Sequence, residues 1–169
     1  MLFRSVGGNG TLGGVVDIAA GAAHTMLLLG NKTMWIVGDN TEKQLGVDTT
    51  KDGNTYTATI VEVDLPVDAN SSTGDKVEAA ALSAGPYNSA FMTADGRAFV
   101  WGNNQYYQVL NDAAGEKVSL VSQINIPNET SGIVDLQFGG SRSAQTHIAA
   151  LTDSCLLYTS RLRQQARQR

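Results

Sequence analysis

A chain of 169 residues with 42% apolar and 17% charged side chains can bury one modest core, and its composition is not that of a disordered polypeptide. Its net charge of −4 and the lack of any apolar run near the roughly 20 residues that span a bilayer set aside a membrane-spanning helix. With 18 Gly and only 3 Pro, it suits many short strands joined by tight turns.

In chain order, residues 1–14 are Gly-rich and read as a linker. Val15–Ala20 is a short apolar strand that meets Gly21. Residues 25–29 form a second strand, bounded by the hairpin turn Gly30-Asn31-Lys32, and 33–37 a third, ended by Gly38-Asp39-Asn40. A fourth runs over 57–65, where apolar and polar residues alternate before Pro66. The same course then repeats. Residues 77–84 lead into Gly85-Pro86, 89–93 precede the turn Ala94-Asp95-Gly96-Arg97, 98–101 follow it, and 119–126 end before Pro127. The Ala-rich stretch 78–81 could pass for helix, but it corresponds to the 17–20 region and is read as strand. Four strands per unit is the arithmetic of a propeller blade.

The repetition is in register. At an offset of 64 residues, Gly85, Asn88, Ser89, Phe99, Gly102, Asn104, Gln108 and Val109 fall opposite Gly21, His24, Thr25, Trp35, Gly38, Asn40, Gln44 and Leu45, with no gap. A third copy begins at residue 133 with Gly139 at its turn, and His147 opens its second strand after an insertion of about five residues around 141–146. Units of this kind must stack on neighbours to bury their faces.

Residues 155–169 break the pattern. Cys155-Leu156-Leu157-Tyr158-Thr159-Ser160 is followed by an arginine-rich run without acids, and the segment reads as a cloning or sequencing scar. A basic arm for nucleic acid is the alternative. Without it, Lys plus Arg falls from 12 to 8 while Asp plus Glu stays at 16, moving the net charge from −4 to −8. Such a body has no basic footprint for nucleic acid, and it holds no cysteine, which sets aside disulfides and Cys-ligated zinc.

The string Ile18-Ala19-Ala20-Gly21-x-x-His24-Thr25, then Trp35-x-x-Gly38-x-Asn40 and Gln44-Leu45-Gly46, resembles the regulator of chromosome condensation repeat family over about residues 15–154. The resemblance implies an all-β, seven-bladed β-propeller of four-stranded blades, of which about two blades and part of a third are present, in the manner of a fragment of a bacterial member. The expected division is linker 1–14, blades at 15–76 and 77–131, the start of a third at 132–154, and a non-native tail at 155–169. There are departures: Asn88-Ser89 stands for His-Thr, Lys43 and Tyr107 for a Gly before Gln-Leu, and Leu110 for the final Gly.

The recurring residues read as framework. Gly21, Gly38, Gly85, Gly102 and Gly139 suit tight turns or close packing. Trp35, Phe99 and Trp101 would fill the wedge between blades, Gln44 and Gln108 would satisfy loop backbone groups, Asn88 and Ser89 can make side-chain to backbone hydrogen bonds, and Thr25, Asn40, Asn104 and Leu45 complete the recurring framework. His24 and His147 invite catalytic or metal roles, but the His24 position recurs as Asn88, so it calls for a hydrogen-bonding side chain rather than a proton carrier. No nucleophile–base–acid set, metal-ligand spacing or phosphate loop stands out, and the Asp/Asn content of the loops matches no calcium motif. Asp39 and Asp48 align with Asn103 and Asp112, so a recurring carboxylate pair for a propeller enzyme is not indicated. No catalytic residue, cofactor or metal is expected.

The polar loops at 48–56, 68–76 and 111–117 read first as solvated connections. The functional expectation is a scaffold that binds a protein partner through its loop face, within a larger secreted or surface protein. The alternative, which the resemblance implies for eukaryotic members, is nucleotide exchange on a small GTPase.

Overall fold

In the computed structural model, residues 14–47, 56–105, 118–124, 131–141 and 146–159 are described. They form eleven strands and no helix: β1 Val15–Ala20, β2 His24–Leu29, β3 Met34–Asp39, β4 Tyr56–Glu62, β5 Ala81–Ala84, β6 Asn88–Met92, β7 Ala98–Gly102, β8 Val118–Gln123, β9 Ile133–Gly139, β10 His147–Thr152 and β11 Leu157–Thr159. They make three antiparallel meanders, β1-β2-β3-β4, β5-β6-β7-β8 and β9-β10-β11. Two are four-stranded blades and the third has three strands among the described residues.

Side-chain parity stacks the sheets, because successive residues of a strand point to opposite faces. Met26, Leu28, Met34 and Ile36 leave one face of the first sheet and meet Phe91, Phe99 and Trp101 of the second in one buried cluster. The opposite face of the second sheet, Ala90, Ala98 and Val100, meets Ile133, Leu136, Ile148 and Ala150 of the third. Small residues on that face let the third sheet approach. Phe91 and Phe99 are direct cross-strand partners with rings stacked at 4.7 Å, and Trp101 meets Phe91 edge-on at 6.3 Å. This successive face-to-face stacking of meanders is the packing of propeller blades.

The hairpin between second and third strands has the same geometry three times. Leu29 N–H donates to Thr33 O at 3.0 Å, Thr93 to Arg97 O at 2.9 Å and Thr152 to Leu156 O at 3.0 Å. The residue before the closing position has positive φ in each: Lys32 at 69°, Gly96 at 83° and Cys155 at 62°. This is the three-residue loop in which a type I turn is followed by a left-handed residue.

Several bounds differ from the sequence expectation. β4 ends at Glu62 rather than at 65, because the chain leaves the ladder and tucks Val63 and Leu65 into the core. β5 starts at Ala81 rather than at 77. The preceding residues are held elsewhere: Val67 bridges Lys76, and Val77 N–H donates to Pro66 O at 2.9 Å. The 66–77 connection is therefore an organised hairpin, not merely a solvated link. β11 lies within the segment set aside by composition, and its Tyr158 pairs with Ala150 as Trp35 pairs with Leu27 and Phe99 with Phe91.

Candidate functional site

Polar framework residues converge where the first blade meets the second. His24 is 3% exposed, and its Nε2 lies 2.9 Å from the Ser89 hydroxyl. That hydroxyl donates to Gln44 O at 2.6 Å, and a carbonyl can only accept. Ser89 must therefore accept from His24, which fixes the neutral Nε2–H tautomer. Nδ1 is left as a buried acceptor without a hydrogen-bond partner. Burial pushes the His24 pKa down to about 4, although Asp39 and the Asn88 backbone offset part of the effect. The ring is a fixed donor at neutral pH, sealed from any substrate.

The Gln44 carbonyl also accepts from Trp101 Nε1–H at 2.9 Å. One carbonyl on the loop after β3 thus receives two side chains of the second blade. The Gln44 amide is committed as well: its oxygen accepts from Glu42 N–H at 2.8 Å and its nitrogen donates to Asp39 at 2.8 Å. Asn40 accepts from Leu45 N–H at 3.0 Å, and Leu45 is fully buried. Gly46 follows with φ of 64°, and a Cβ there would lie 2.6 Å from Trp101 Nε1. Glycine is needed on both counts.

The other framework positions fall as follows. Gly38 and Gly102 share positive φ, 123° and 107°, and the following amides of Asp39 and Asn103 donate to Ala23 O and Tyr87 O at 2.8 and 3.0 Å. The space beside Gly21 is filled by the His24 ring, that beside Gly139 by His147, and that beside Gly85 by Phe138 of the next sheet. Asn88 is fully buried and donates to Trp101 O and Asn103 O at 3.3 and 2.7 Å, while its Oδ1 has no partner. Thr25 is half-buried and Asn104 fully buried. Trp35 packs half-buried on Leu27, Leu29 and Ile60, away from the second blade. Gln108 lies outside the described residues.

Other contacts gave no signal in the sequence. Asp17 accepts from Leu82 N–H at 2.8 Å across the first strands of two blades, and Asn103 donates to Glu42 at 2.6 Å. At the opposite end of the blades, Arg97 forks onto Asp68 at 2.9 and 2.8 Å and also binds Asp95 at 2.8 Å. The guanidinium holds both carboxyls below the usual range, aided at Asp68 by the Asn70 amide and at Asp95 by the Thr93 hydroxyl. Asp75 is lowered by the Thr73 and Ser71 hydroxyls. Two clefts of about 470 and 440 Å³ flank this turn. Among the described residues no group of three His, Cys, Asp or Glu could hold a metal ion, and no helix could cross a membrane.

A meander whose polar repeat residues bind the next meander, stacked face to face with it, defines a propeller-repeat protein. The model of the regulator of chromosome condensation (RCC1) repeat matches residues 15–44 and 79–108. The chain belongs to this RCC1-repeat family. It is 31% identical over 150 residues to the regulator of chromosome condensation of Xenopus laevis, covering 86% of this chain and 30% of that protein. It is 33% identical over 91 residues to the human X-linked retinitis pigmentosa GTPase regulator, covering 54% of this chain and 8% of that one. Among solved structures it resembles yeast RCC1 (Prp20), determined bound to Kap60, with a TM-score of 0.66, 20% identity, and coverage of 86% of this chain and 31% of that one. The chain thus spans less than a third of the length of these relatives.

Proposed function

We propose that the chain is part of a scaffold that binds a protein partner through its loop faces. The observation that carries this reading is the inward commitment of the repeat's polar side chains. His24, Ser89, Gln44 and Asn88 are buried in bonds that hold loops and blades, so recognition falls to the exposed loops at the blade ends. Yeast RCC1 bound to Kap60 supplies a precedent of the same fold with a protein partner. Placement within a larger secreted or surface protein belongs to the same proposal and is tested by sequencing the full reading frame.

Nucleotide exchange on a small GTPase is the second reading. It is favoured by the relative described as a GTPase regulator. Photo-crosslinking residues placed at Asn70 and at Thr41 separate the two. A partner crosslinked at one of these loops, with no acceleration of labelled-GDP release from small GTPases, supports the scaffold. Accelerated release supports exchange, and neither result would leave the scaffold reading without footing.

A further inference from the structure

The cleft of about 440 Å³ between the second and third blades has a mixed lining. Its floor is apolar, from half-buried Ala81 and Met92, buried Ile133 and exposed Val134. Its rim carries Asp95 from the turn of the second blade and Asp153 from the turn of the third. The two turns are fixed relative to each other, because Gly96 O accepts from Ile133 N–H at 2.8 Å and Gly132 O from Asp153 N–H at 3.0 Å.

Charge decides what this groove accepts. Arg97 is shared between Asp68 and Asp95, so that triad retains one net negative charge. The Asp153 carboxylate makes no hydrogen bond or ion pair with the described residues and adds a second. An apolar floor between two turns, under a rim with the Asp153 carboxylate and the net-negative Asp68–Arg97–Asp95 triad beside it, fits a long cationic side chain. Its methylenes would lie along Met92 and Ile133 and its head would reach the carboxylates.

We propose that this groove is a docking site for an arginine or lysine side chain of a basic segment in the protein partner. The proposal rests on the scaffold reading above and adds the face and the chemistry of recognition.

The test is a titration of the isotope-labelled full chain with acetylated, amidated glycyl-arginyl-glycine, followed by amide NMR shifts. The expected result is saturable shifts at Met92, Gly96, Gly132 and Ile133. Asp153→Asn should weaken binding at least about fivefold, the effect of roughly one kcal/mol in a charge-assisted contact. Asp64→Asn removes the same charge outside the groove and should leave the affinity unchanged. Equal weakening by both variants, or shifts spread over the acidic surface without saturation, would overturn the groove assignment. If only glutamyl or leucyl peptides bind, and shift other loops such as 40–47, the groove fails while the scaffold reading stands. Binding of no peptide overturns the groove and leaves the scaffold to its crosslinking test.

Discussion

The imidazole of His24 in the first blade donates to the hydroxyl of Ser89 in the second at 2.9 Å, and the hydroxyl passes its own proton toward Gln44 O at 2.6 Å. The two residues are 65 apart in sequence and occupy adjacent positions of the repeat. The first blade therefore uses a repeated polar position to hold the second, and a histidine that could suggest catalysis is held as a neutral donor.

This arrangement gives an acid sensitivity with a defined window. Since the His24 pKa falls from 6.5 to about 4 on folding, the unfolded chain binds more protons between those values. Its contribution is fully present above pH 6.5 and is lost as pH falls through about 4. The loss should reach about 3 kcal/mol at most, in urea titrations across that range. A His24→Asn variant should lose this slope while keeping whatever fall comes at lower pH from Asp68 and Asp95, whose carboxyls Arg97 holds below the usual range.

Gly46 and Gly74 separate two causes of glycine dependence. Both have positive φ, 64° and 79°, but only Gly46 lies against Trp101, while Gly74 faces open space. Gly74→Ala should cost about 1 kcal/mol, from backbone strain alone. Gly46→Ala should cost at least about 2 kcal/mol more, because the alanine methyl displaces the buried indole from Gln44 O. Denaturant unfolding followed by tryptophan emission reads both the stability and a red shift expected only in Gly46→Ala.

Lys32 occupies the left-handed position that Gly96 fills in the second blade. Lys32→Gly should relieve strain of about 1–2 kcal/mol and add about 0.5–1 kcal/mol of backbone entropy cost, for a net stabilisation of up to about 1.5 kcal/mol. A melting temperature unchanged or lowered would show that the first hairpin tolerates lysine without strain.

Arg97 holds the 66–77 connection to the turn of the second blade through its two-pronged bond to Asp68. Lysine cannot reproduce that fork. Arg97→Lys should therefore speed amide exchange at Asp68, Ser71 and Asp75 by several-fold, with little change in β6 and β7. Uniform faster exchange throughout the second blade would instead show a global loss of stability.

The repeat offset made the fold legible, because Gly38 with Gly102 and Trp35 with Phe99 mark the same points in each meander. It also drew attention to His24, Gln44 and Trp101 as framework. The blade-to-blade partners were less legible: Ser89 was aligned with Thr25, yet nothing in the alignment says that its hydroxyl faces the preceding blade. Arg97 and Asp68 are 29 residues apart with no shared motif, and their bond exists only because the crossover folds back as a hairpin. Asp17 gave even less signal, since its partner is a backbone amide, which any residue at position 82 except proline would provide. The bounds of β4 and β5 shifted for a similar reason. Val63, Leu65, Val77 and Ala79 carry strand-like hydrophobicity but are buried while the chain passes between blades.

A double-mutant cycle measures the coupling of the first two blades through His24 and Ser89. Unfolding free energies of the parent, His24→Ala, Ser89→Ala and the double variant should yield a coupling of about 1 kcal/mol or more, because Ser89→Ala strands the buried His24 Nε2–H, while His24→Ala leaves the Ser89 hydroxyl only its bond to Gln44 O. Additivity within about 0.3–0.5 kcal/mol, the behaviour of independent sites, would show that this pair does not couple the two blades.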